Sequence, residues 1–221
     1  MSTDRYAEIC AGYRWDVPAR FNIADACCRR WADDPTRLAL QWEDESGATA
    51  ACTFAELQRQ ANRLSNALAA LGVGRGDKVA LMLPQRPETV VGHIAVYQLG
   101  AIAVPLSFLF GPDALAYRLV NSEAKVALVD PQSLPNLVPI RDAVPGLAHV
   151  VGVAGARESF VTSYEALLAR ASDRFDCVPT VANMENCLST FAAPQAGQVT
   201  TWSSRRTSSS KCSSHSMHAY S

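Results

Sequence analysis

The sequence predicts an α/β fold in which a parallel sheet is covered by helices. Three observations carry this. Strand and helix signals alternate between residues 53 and 130. The strand candidates are near-continuous apolar runs, as expected of strands buried on both faces. Each helix candidate lies between two strand candidates, the arrangement that joins parallel strands.

The elements follow in order. Residues 1–20 read as an irregular lead-in. Asn22 is placed to cap a helix, with Ile23, Ala26, Cys27, Arg30 and Trp31 at helical spacing. Asp33-Asp34-Pro35 ends it, because the residue before proline is driven out of the helical region. Residues 38–42 and 49–53 are β-prone, and Glu43 to Gly47 between them reads as a hairpin loop. Thr53-Phe54-Ala55-Glu56 fits a capping box. Leu57, Ala61, Leu64, Leu68 and Leu71 then give one apolar helix face, and Gly72 stands where a left-handed cap is expected. Residues 78–83 form a strand and Pro84 to Arg86 a turn. Pro87 and Glu88 suit the first turn of a helix reaching about Leu99, which Gly100 stops. Residues 101–106 form a strand, residues 111–122 a helix and residues 125–130 a third strand. Residues 148–153 form another strand. Thr162-Ser163-Tyr164-Glu165 resembles a second capping box, opening a helix to about Ala171.

Composition sets limits on function. The 221 residues are 48% hydrophobic and 19% charged, with a formal net charge of −1. That is ordinary for a soluble globular chain and leaves no basic footprint for nucleic acid or an anionic membrane. The seven cysteines form no C-x-x-C and read as reduced thiols in a cytoplasmic protein. Residues 89–110 are apolar enough to raise a membrane span. Gly92, Gly100 and Pro105 interrupt the run, so it reads as a buried helix, a turn and a buried strand. From Thr200 the chain is serine-rich and aperiodic, and disorder is expected from near Asn186.

No motif in the chain points to chemistry. Gly72-Val73-Gly74-Arg75-Gly76 follows a helix and precedes a strand, the reverse of a phosphate-binding glycine loop, and reads as a cap and connection. His93 falls in a buried helix and His149 at a strand start. Cys212, His215 and His218 have metal-like spacing without a framework to hold an ion. Arg205-Arg206 among serines carries little weight. Asp33-Asp34 and Glu43-Asp44-Glu45 read as solvated loop carboxylates. No catalytic, cofactor-binding or metal-binding residue is assigned.

Three passages resemble the N-terminal part of the AMP-dependent, adenylate-forming acyl-CoA synthetase superfamily. They are TFAELQRQANRLSNALAAL leading into GVGRGDKVALMLP, then YQLGAIAVPL, then GPDALAYRLVNSEAKVALVD. The similarity spans about residues 13–179, and PLSFLFGPDALAYRL is most similar to the fatty- and medium-chain branch. The resemblance implies joining of a carboxylate to the α-phosphate of ATP, with Mg2+, and transfer of the acyl group to coenzyme A. It also implies that a phosphate loop of the form T-S-G-T-T-G-x-P-K-G follows Pro179. Asn183 to Phe191 stand there instead, and residues 131–140 contain no arginine that could take the coenzyme A role known in the acetate-activating branch.

Residues 1–185 are therefore expected to be an incomplete adenylation domain, and residues 186–221 a low-complexity or frame-shifted tail. A phosphate-loop sequence in another reading frame beyond Glu185 would support the shift. The chain alone is expected to be inactive, to bind ATP, Mg2+ and coenzyme A poorly, and to self-associate through exposed apolar surface. The alternative is a non-catalytic α/β module that binds a partner.

Overall fold

The structure, a computed structural model, describes residues 5–14, 18–44 and 46–180. All lie in the first of two compact units, residues 1–189. The tail motifs at Cys212, His215, His218 and Arg205-Arg206 fall outside the described residues.

The first element corrects the expected irregular lead-in: Arg5–Gly12 is a helix, α1. Tyr6, Ile9 and Tyr13 recur at helical spacing there, a signal too short to stand out from sequence. Helix α2, Ile23–Cys27, is capped by Asn22, whose Oδ1 accepts from Ala24 N at 2.9 Å. The helix expected to continue to Trp31 breaks at Cys28 (φ −128°, ψ −62°) and resumes as a 3-10 turn, Arg29–Trp31. The break sends the adjacent cysteines apart, leaving Cys27 exposed and Cys28 buried.

Strands β1 (Leu38–Glu43) and β2 (Thr49–Thr53) form the expected antiparallel hairpin. Asp44 shapes its turn, accepting from Ser46 N, Ser46 Oγ and Ala48 N. The capping box at Thr53 is present: Glu56 N donates to Thr53 Oγ1 at 3.3 Å, and Thr53 N to Glu56 Oε2 at 2.8 Å. It opens α3, Phe54–Ala70, which buries Leu57, Ala61, Leu64 and Leu68. Gly72 follows at φ +80°, the left-handed conformation that glycine adopts without strain.

The central layer alternates strand and helix. Strand β3 is Lys78–Met82, α4 is Pro87–Gln98, β4 is Ile102–Pro105, α5 is Pro112–Ser122 and β5 is Ala124–Val129. A short helix α6, Leu134–Leu137, and a 3-10 turn, Val138–Ala143, lead to β6, His149–Gly152. Strand β7 is Val161–Ser163 and α7 is Tyr164–Arg170. The second capping motif is displaced by one residue. Thr162 lies in β7, and Ser163 caps α7 by accepting from Ala166 N.

The sheet runs β4-β3-β5-β6-β7 and every pairing is parallel. Alternate residues serve opposite faces. Val79, Leu81, Val126, Leu128 and Val151 join a core with α2, α3, α4 and Tyr164. Ala80, Met82, Ala127, Val129 and Val150 join a second core with α5 and α6. The apolar run raised as a membrane span becomes α4, a turn and β4. Among the described residues no helix is long and apolar enough to cross a membrane.

Close packing fixes the layer spacing. A Cβ on Gly152 would strike the Ala156 carbonyl oxygen and lie 2.6 Å from Val161 Cγ1. Replacing Gly152 with alanine should therefore destabilise the protein by about 1–3 kcal/mol, read as a lower urea midpoint. An unchanged midpoint would show that the β6–β7 loop yields freely.

Candidate functional site

Open α/β sheets take ligands beyond the carboxyl ends of their strands, where the strand order reverses. Here the chain goes from β3 to β4 on one side and then returns to place β5 on the other. The crevice position is thus bounded by Pro84 to Arg86 after β3 and Asp130 to Ser133 after β5.

Most of the polar groups at this edge are engaged with neighbouring groups of the chain. Asp130 is buried, and its Oδ1 accepts from Gln132 N at 3.1 Å and Ser133 N at 2.9 Å. Arg86 Nε lies 2.7 Å from Glu88 Oε2, with both side chains largely covered. Thr89 Oγ1 donates to Pro84 O at 2.6 Å, and Trp42 Nε1 donates to Gln85 O at 3.0 Å. Behind the ion pair is Tyr164, 5% exposed, whose Oη has no hydrogen-bond partner. Burial pushes this phenol well above its ordinary range, and the Glu88 carboxylate adds to the rise. These groups shape a turn and a helix start.

The glycine loop is likewise occupied from within. Gly74 N donates to Asp77 Oδ2 at 2.8 Å, and Lys125 Nζ lies 3.1 Å from the same oxygen and also bonds Gly72 O. The Gly74 amide is the main cause holding the Asp77 carboxyl below its ordinary range, with Lys125 adding to it. The chain's own aspartate takes the place an anion would have, in keeping with the connecting-loop reading.

The other weighed residues also have structural settings. His93 is half-buried on α4, with Nδ1 3.1 Å from Tyr97 Oη, and burial lowers its pKa. His149 opens β6. Asp34 accepts from Thr36 N and Oγ1, and that hydroxyl pulls its carboxyl below the ordinary range. Among the described residues no group of three His, Cys, Asp or Glu side chains is placed to hold a metal ion.

A buried polar network behind α3 and α4 has no counterpart in the sequence reading. Gln98 is 0% exposed. Its Oε1 accepts from Gln58 Nε2 at 2.9 Å and Arg29 Nη2 at 3.0 Å, while its Nε2 donates to Ser65 Oγ at 2.9 Å. Gln58 Nε2 also reaches Asn62 Oδ1 at 2.7 Å. The available signal was the spacing of Gln58, Asn62 and Asn66, four residues apart beside the apolar face of α3.

The comparisons with known proteins can be set on this geometry. The AMP-binding enzyme family profile matches residues 28–199. The chain belongs to this family. Acetyl-coenzyme A synthetase of Novosphingobium aromaticivorans is 31% identical over 193 residues, covering 80% of the chain and 30% of that protein. Acetyl-coenzyme A synthetase of Streptomyces coelicolor is 35% identical over 117 residues, 52% of the chain and 18% of that protein. Among solved structures, an acyl-CoA synthetase of Brucella canis superposes with a TM-score of 0.72 at 25% identity. That match covers 82% of this chain and 35% of the other. The chain therefore spans about a third or less of the length of these relatives. The α/β sheet described above is that of the N-terminal part of an AMP-binding enzyme.

Two outcomes follow from these environments. Gln98→Leu keeps the volume but leaves Arg29, Gln58 and Ser65 without their shared partner. It should cost about 3 kcal/mol or more in urea unfolding, and a neutral result would mean water replaces the amide. His93 has a folded-state pKa below its unfolded value. Its contribution is therefore intact above the unfolded value of about 6.5 and is lost as pH falls below it toward the folded value. His93→Gln should flatten the stability profile in that window.

Proposed function

We propose that this chain is part of an AMP-forming acid–CoA ligase, which activates a carboxylic acid with ATP and passes the acyl group to coenzyme A. The observation that carries the reading is the family match over residues 28–199. The first step joins the acid's carboxylate oxygen to the α-phosphorus of ATP and releases pyrophosphate. In the second, a thiol displaces AMP from the acyl carbon. Mg2+ would offset phosphate charge in the first step.

The described residues do not fit the Mg2+–ATP group. Asp130 Oδ1 is taken by its own turn, Arg86 is paired with Glu88, and the Gly74 amide is bonded to Asp77. No step is therefore routed through these residues, and the described part acts as scaffold.

Two observations bear on the acid. The passage PLSFLFGPDALAYRL supports a fatty or medium-chain substrate. The relatives named acetyl-coenzyme A synthetase, with a 3-hydroxypropionyl-coenzyme A synthetase of Metallosphaera sedula at 32% identity, support a short acid.

Pyrophosphate release should be measured with ATP, Mg2+, coenzyme A and acids from acetate to long fatty acids. The 221-residue chain should give no release above a no-protein control with any acid. Acid-dependent release would show that the chain carries its own phosphate-binding groups, and its chain-length profile would name the substrate.

A further inference from the structure

After α7 the chain runs through residues 172–180 without joining any helix or strand. Side chains of the scaffold hold it by its carbonyls. Asn66 Nδ2 donates to Ser172 O at 2.9 Å and Arg174 O at 2.8 Å, and Asn62 Nδ2 to Asp173 O at 2.7 Å. Arg29 Nη2 bonds Phe175 O. Asn22 Nδ2 donates to Val178 O at 3.0 Å, and Arg75 Nη2 to Pro179 O at 3.2 Å. Backbone bonds are sparse: Val178 N to Gln98 O at 2.8 Å and Phe21 N to Thr180 O at 2.9 Å.

Burial of the segment is equally slight. Phe175, Cys177 and Val178 are half-covered, Thr180 is buried, and residues 172–174, 176 and 179 are exposed. Cys177 Sγ faces Gln98 Oε1 at 3.7 Å. Phe175 and Cys177 pack against the core, but five of the nine residues are exposed and most of the bonds are to side chains; such a segment opens at lower free energy than a core strand. None of its bonds reaches the five-stranded sheet, so opening breaks none of the sheet's pairings.

We propose that residues 172–180 form a strap that opens as a unit while the sheet and helices stay folded, fully uncovering Cys177. The clasp reads carbonyls, and the strap's own side chains add the packing of Phe175 and Cys177 and a bond from Thr180 Oγ1 to Phe21 O. This goes beyond the ligase reading and does not rest on it.

Site-resolved alkylation of the full chain with iodoacetamide, followed by peptide mass spectrometry, tests the proposal. Cys28, buried in the core, is the internal reference. In Asn66→Ala, which removes two clasp bonds, Cys177 should react about tenfold faster than in the parent chain while Cys28 is unchanged. In the parent chain, Cys177 labelling should stay flat with urea below the global transition, whereas Cys28 labelling should rise steeply with urea. The strap is not a separate unit if Cys177 and Cys28 accelerate together in either experiment, or if Asn66→Ala leaves Cys177 unchanged. Should Asn66→Ala fail to fold, Asn62→Ala, which removes the bond to Asp173 O, takes its place with the same expected selective rise at Cys177. Thiol labelling involves no nucleotide, so its outcome is independent of the pyrophosphate assay.

Discussion

The described structure depends on one buried amide. Gln98 ends α4 with its side chain inside the core, where an unpaired amide would cost more than one hydrogen bond returns. Both ends are therefore partnered, and the partners come from three other places: Arg29 in the turn after α2, Gln58 and Ser65 on α3, and Cys177 on the strap. A leucine at this position would fill the space and join nothing. The amide instead fixes the rotation of α3 about α4, since only one registry brings Gln58 and Ser65 to its two ends. Dispersion alone tolerates some sliding of packed helices, and directional bonds do not. Gln58 Oε1 remains without a partner, so the network is held by its donors.

The sheet was legible in the sequence because its constraints are local and repetitive. Apolar runs at β3, β4 and β5 mark strands with both faces covered, and the Thr53 capping box marks a helix start by chemistry that needs only four residues. The strand order was not legible. Nothing in residues 101–106 says that this strand lies outside β3 rather than beyond β5, because pairing partners are chosen by packing across long sequence separations. The break at Cys28 was hidden for a related reason. Residues 23–31 have helical spacing, but Arg29 must leave the helix path to reach Gln98 and Phe175, which lie far along the chain.

The glycines show the same division. Gly72 could be placed from sequence, since a glycine after the last apolar position of a helix has a local reason to be there. Gly92 could only be read as an interruption of an apolar run. In the structure a Cβ there would lie 3.2 Å from Leu81 Cδ2, so the missing side chain lets α4 sit close on β3. That reason belongs to the contact between two elements, and one element's sequence does not contain it.

The sequence assigned no site residue, and the groups that bound the reversal between β3 and β5 have structural roles of their own. A ligand site needs polar groups whose bonding capacity is left open toward a cavity. At the reversal between β3 and β5 much of that capacity is used internally: Asp130 Oδ1 by two amides, Arg86 by Glu88, Gln85 O by the Trp42 indole. A region built this way is constrained by how its own parts fit together. This explains how it can carry a family's scaffold pattern in order.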